Sequence, residues 1–132
     1  MSKEIITTIS PITGQPLLTR EGVSIEGFSS IVEKSSYAFS TFRHTHPLKR
    51  RQEIVKKALE ILSNKSNLLA KELTEQMGRP IAYTGSELST AKMRAEYLLK
   101  VSDEVLKDSP GEEQEGFRRF IRKEPLGVVG PL

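Results

Sequence analysis

The chain has 132 residues, a net charge of +3 and no cysteine, which fits one domain and excludes disulfides, thiolate metal sites and a cysteine nucleophile within these residues. No apolar run approaches the ~20 residues of a membrane-spanning helix, and the opening MSKEIITTIS resembles neither a secretory signal nor a mitochondrial presequence. We therefore expect a cytoplasmic protein. Positive and negative side chains are mixed along the sequence, which disfavours a nucleic-acid-binding surface.

The first 20 residues predict a short β-hairpin. Residues 4–9 are rich in β-branched side chains, which favour a strand. Residues 10–16 contain two prolines and a glycine and predict a turn, and residues 17–20 form the returning strand.

Four helices follow, each indicated by apolar residues at helical spacing. We predict them over residues 24–42, 46–64, 66–78 and about 84–107, with the last as the longest. Their apolar stripes are expected to meet in one small core built from Phe28, Phe39, Phe42, Val55, Leu59, Leu62, Ala91, Ala95 and Leu98.

The ends of the predicted helices carry recognisable signals. Ser24 and Ser66 can act as N-caps of the first and third helices. Pro47 suits the first position of the second helix, where its missing N–H is not needed. Gly78 followed by Pro80 indicates the end of the third helix, since glycine adopts the left-handed conformation and proline cannot continue the helix.

The last quarter of the chain changes character. Residues 108–116 predict an acidic exposed loop, and residues 117–124 a strand. A turn at 125–127 leads into Val128 and Val129, which begin a buried segment.

The residues that could act in catalysis or bind a metal or a phosphate do not form a recognisable site. His44 and His46 are two positions apart and would not share a helical face, so a helix-entry loop is favoured over a metal site. The Gly127-to-Gly130 pair lacks a following helix to hold a phosphate and is interpreted as a turn. We predict no catalytic, cofactor-binding or metal-binding residue in this chain.

Charged and aromatic groups receive structural interpretations. The basic clusters at 49–51 and 118–123 are assigned to a solvated helix face and to an edge strand protected by charge. Glu53 and Lys57 form an i,i+4 pair that supports the second helix. Tyr83 and Tyr97 are interpreted as packing residues.

Three stretches in this order resemble the N-terminal quarter of the aldehyde dehydrogenase superfamily. SPITGQPL is similar to the family's opening turn, and LTEQMGRP to its Glu-x-Gly-Lys-Pro helix end, with Arg79 in place of the lysine. KEPLGVVG is similar to the family's Glu-Pro-x-Gly-Val-Val-Gly segment. The residues in register are Glu75, Gly78, Pro80, Glu124, Pro125, Gly127, Val128 and Gly130. Details around these motifs most resemble fungal members.

The resemblance implies the fold class: an α/β, mostly helical N-terminal fragment of an aldehyde dehydrogenase-like fold, with a short N-terminal hairpin and C-terminal strands. We interpret residues 1–132 as a single truncated region, helical over 24–107 and with a strand region at 117–132. Family members oxidise aldehydes to carboxylic acids with NAD or NADP, using a cysteine thiolate and a general base. This chain lacks that cysteine, the base and the cofactor site, so we expect it to be inactive alone.

Two other functions remain open. The chain could be a non-catalytic interaction module that docks on a full-length aldehyde dehydrogenase subunit, because a fragment would expose faces that the complete fold covers. The less favoured alternative is a small basic nucleic-acid binder, which salt-sensitive retention on nucleic acid would reveal. No membrane, metal or nucleic-acid partner is expected.

Overall fold

The computed structural model describes residues 5–130, and it is mostly helical, as predicted. A two-stranded hairpin precedes four helices, and a second, very short strand pair follows them. The elements are β1 Ile5–Ile9, β2 Pro16–Glu21, α1 Ile25–Thr45, α2 Leu48–Asn64, α3 Ser66–Met77, α4 Ile81–Val105, β3 Ser109–Pro110 and β4 Phe120–Ile121. At 25 residues, α4 is the longest element, which confirms the prediction.

The hairpin is closed by a turn over residues 10–15, which begins at Ser10. Strands β1 and β2 pair antiparallel, with an irregularity between Thr8 and Ile9. The buried Ser10 donates its backbone N–H to the Gln15 carbonyl at 2.9 Å, and its own carbonyl accepts from the Gly14 N–H at 2.8 Å. Gly14 has a φ of 69°, a conformation that glycine adopts without strain. The predicted hairpin is therefore confirmed.

This turn packs against the end of α3 at Gly78. Gly78 has a φ of 73° and donates its N–H to the Thr74 carbonyl at 2.8 Å, so it ends the helix as predicted. A β-carbon at this position would lie 2.9 Å from Cγ of Pro11. Glycine is thus required both for the backbone conformation and for the approach of the turn, and two of the three motif stretches contact each other here.

We expect Gly78→Ala to lower the free energy of unfolding by about 2–4 kcal/mol, because it adds left-handed backbone strain to an overpacked contact. Gly85→Ala is the matched control. Gly85 lies within α4 with open space around its α-carbon, so alanine there should stabilise the chain by up to about 1 kcal/mol. Urea unfolding in a stabilising osmolyte measures both changes, and equal effects of the two variants would contradict the assigned contact.

The helix boundaries follow the predicted caps only in part. The Ser24 hydroxyl accepts from the Gly27 N–H at 3.1 Å and caps α1, as predicted. Ser66 is not a cap: one residue, Lys65, separates α2 from α3, so Ser66 already lies inside the helix. Pro47 lies one position before α2 rather than at its first residue.

Two helices are longer at one end than their patterns indicated. Helix α1 continues to Thr45, three residues beyond the predicted end, and His46 closes it with an N–H donated to the Phe42 carbonyl. Helix α4 begins at Ile81 rather than near residue 84 because Pro80, at a φ of −56°, starts the next helix as well as ending the previous one.

Helices α2 and α4 lie side by side and are joined at one end by Gln52. Its side-chain amide donates to Oγ of Ser102 at 2.8 Å and to Oδ2 of Asp103 at 2.9 Å. Helix α3 packs along the first half of α4. Thr84 at the start of α4 is fully buried and donates its hydroxyl to the Ile81 carbonyl at 2.9 Å.

The predicted single core is wrong. Ala70 is the one apolar side chain buried within residues 5–130, whereas Phe28 is 63% exposed and Leu98 is 64% exposed. The stripes do not converge because α1 packs on none of the other three helices beyond isolated contacts, and it contains no buried residue. Each apolar face therefore remains open on the side that a second layer would cover.

The surface area measures how open the fold is. The chain exposes 11354 Å², whereas a compact monomer of 14.8 kDa exposes about 7,000 Å². About 4,400 Å² therefore remains uncovered that a closed domain of this mass would bury.

No helix within residues 5–130 is long and apolar enough to cross a membrane.

The predicted strand at 117–124 shortens to Phe120–Ile121, which pairs antiparallel with Ser109–Pro110 inside the predicted acidic loop. Pro110 has no N–H to donate, which limits the extent of this pairing. Three arginines of the basic cluster at 118–123 lie over neighbouring aromatic rings. Arg118 and Arg122 lie over Phe120, and Arg119 lies over Phe117.

Candidate functional site

A long groove between α2, α3 and α4, hereafter the α2–α4 groove, is the main concave feature among the described residues. Its apolar half has a volume of about 560 Å³ and is lined chiefly by Leu59, Leu62, Ala70, Leu88, Ala91 and Ala95. Its polar half has a volume of about 850 Å³ and is lined chiefly by Lys56, Glu60, Lys92, Glu96, Lys100 and Asp103. Leu59, Ser63 and Lys92 line both halves, so the groove is continuous.

The packing of the helices explains why the groove is open. The Gln52 contacts hold α2 against the C-terminal end of α4, and α3 covers part of the other end through Ala70. Between these points, Gly85, Ala91 and Ala95 of α4 have no long side chains to fill the space. The spacing of these small residues was the signal in the sequence, but the predicted core assigned Ala91 and Ala95 to the interior.

The groove contains no catalytic constellation. Lys92 lies 3.8 Å from Glu96 and Gln52 bonds Asp103, so these polar groups are paired with each other. No serine or threonine there is bonded to a histidine, and within residues 5–130 no group of three His, Cys, Asp or Glu side chains could hold a metal ion.

An ion pair whose two pKa values are shifted lies at the end of α4. Lys107 donates a hydrogen bond to the Glu104 carboxylate, and this bond lowers the pKa of Glu104 and raises the pKa of Lys107. Both side chains are exposed, so this pair is a surface ion pair and not a candidate acid or base.

The two histidines lie at the end of α1. His44 is in the last turn of the helix, so the prediction that both histidines belong to a loop is wrong for His44. His46 stacks on Phe42 with ring centroids 4.2 Å apart, and its Nδ1 lies 2.8 Å from Oγ1 of Thr45. These contacts give His46 a role in closing the helix.

The predicted ion pair between Glu53 and Lys57 is wrong, because each residue has another partner. Glu53 pairs with Arg50 at 2.9 Å, and Lys57 pairs with Glu60 at 2.9 Å, instead of Glu53 with Lys57. Both alternatives are neighbouring positions on one helix face, which the sequence cannot rank. Tyr83 and Tyr97 are exposed rather than packed.

The segment after β4 lies against the second half of α1. Glu124 forms an ion pair with Arg43 at 2.9 Å, and the Arg43 guanidinium lies over the Phe39 ring, 5.7 Å from its centre. Gly127 has a φ of 98°, and a β-carbon there would lie 3.9 Å from Phe39. The third motif stretch is thus held on α1 by the ion pair of Glu124 with Arg43, and Gly127 passes close to the Phe39 ring.

The turn at Gly127 has a carboxylate beside it. A bound pyrophosphate needs a glycine-rich turn that leads into a helix N-terminus. No helix follows Gly127 within residues 5–130, and the side chain of Glu124 places a carboxylate beside the turn.

We expect the backbone amides of residues 128–132 to exchange quickly with solvent in the isolated chain. Val128 and Val129 are exposed and belong to no strand, and positions 131 and 132 lie outside the described residues. Hydrogen exchange read by mass spectrometry measures this, and strong protection there would mean that the segment pairs with another strand.

Comparison with known proteins identifies the fold. The sequence model of the aldehyde dehydrogenase family matches residues 1–132. The chain belongs to the aldehyde dehydrogenase family. It is 27% identical over 124 residues to a probable succinate-semialdehyde dehydrogenase (NADP+) of Synechocystis sp., and 30% identical over 134 residues to a lactaldehyde dehydrogenase of Methanococcus maripaludis.

The structural comparison shows the same fold. A succinic semialdehyde dehydrogenase from Streptococcus pyogenes, solved with NADP+, superimposes with a TM-score of 0.74 at 24% identity, over 83% of this chain and 24% of that one. The alignments with the Synechocystis and Methanococcus relatives include 94% and 98% of this chain, respectively. They include only 27% of the length of each relative. The chain thus spans about a quarter of the length of these aldehyde dehydrogenases.

Proposed function

We propose that these residues form a non-catalytic helical segment of an aldehyde dehydrogenase. The nucleophile, the general base and the cofactor site are then supplied by further polypeptide of the family, outside these residues. The observation that carries the proposal is the uncovered surface of about 4,400 Å². Exposed apolar side chains such as Ile25 at 88% and Phe28 at 63% contribute to this surface, and exposed apolar patches are found where further protein packs.

The chemistry of the chain supports the same proposal. Aldehyde oxidation in this family begins with attack by a cysteine thiolate, and the sequence contains no cysteine. NAD or NADP, the cofactor of the family, would bind outside these residues. We further propose that the protein is cytoplasmic and that it is most like fungal members, the latter on the residues around its motif stretches.

The second candidate function is docking on an intact aldehyde dehydrogenase subunit. The exposed stripe of α1, with Phe28 and Phe42, favours binding to some partner. An intact subunit already contains its own equivalent segment, however, so a free copy would have to displace it. A polypeptide without that segment is the better acceptor.

Complementation tests the proposal. The chain is co-expressed with the Synechocystis relative from which the matched region has been deleted and which carries the affinity tag. We expect the two to co-purify and the pair to form NADPH with succinate semialdehyde. The deleted region of the relative, supplied as a separate chain, is the positive control.

Binding of that control without binding of the 132-residue chain would overturn the proposal. Retention of the chain on the intact relative, but not on the shortened one, would favour the second candidate function.

A further inference from the structure

We draw no further inference here: the strongest candidate, the surface patch beside β4 where Arg118 and Arg122 lie over the Phe120 ring, carries nothing, because Asp108 and Glu112 line the pocket next to it and nothing in the structure shows what covers it.

Discussion

We expect the purified 132-residue chain to form no NADH or NADPH from any short or aromatic aldehyde. In this family hydride leaves a tetrahedral adduct that forms when a cysteine thiolate attacks the carbonyl, and the chain contains no cysteine. No serine can replace it, since His44 and His46 bond no serine and lie at the end of α1. Absorbance at the reduced nicotinamide band measures the reaction.

The control for this assay is an intact relative measured under the same conditions. A Ser89→Cys variant provides a second control, because it supplies a thiol without a base or a cofactor site and should also be inactive. Turnover that follows the chain through every purification step, and that disappears when residues 117–132 are deleted, would contradict the proposal that catalysis lies outside these residues.

We expect the isolated chain to unfold in urea with an m-value about 30% below that of a compact protein of the same length. The m-value scales with the surface exposed on unfolding. An unfolded chain of 14.8 kDa exposes roughly 21,500 Å², so this fold buries about 10,000 Å² and a compact one about 14,500 Å². The transition should also be broad, and an apolar dye should bind before unfolding begins.

A steep, cooperative transition with the m-value of a compact domain would contradict this expectation. It would mean that the helices close on each other in solution and that the stripes form the single core predicted from the sequence. Sedimentation at the same concentration serves as the control, because self-association would bury surface and raise the m-value without closing the monomer.

Local signals in the sequence predicted local structure well. Ser24 caps α1 through its own hydroxyl, and Gly78 ends α3 through the left-handed backbone that glycine adopts without strain. The family resemblance also placed its motifs where contacts matter: Pro11 against Gly78, and Glu124 against Arg43. These residues are far apart in sequence, and only the fold brings them together.

Other features could not be predicted from periodicity. A stripe such as Val55, Leu59 and Leu62 shows which face of a helix is apolar, but it does not show what covers that face. Val55 and Leu62 therefore remain exposed, and Leu59 lines a groove instead of a core. Ser66 was misassigned for a related reason, because the single-residue connection through Lys65 leaves no room for a separate cap.

Hydrogen exchange of α4, in the chain alone and with the shortened relative, tests the central claim that this segment is incomplete without further aldehyde dehydrogenase polypeptide. We predict fast exchange of the amides from Ala91 to Leu99 in the chain alone, and strong slowing when the partner binds. Strong protection of these amides in the isolated monomer, unchanged on addition of the partner, would contradict the claim.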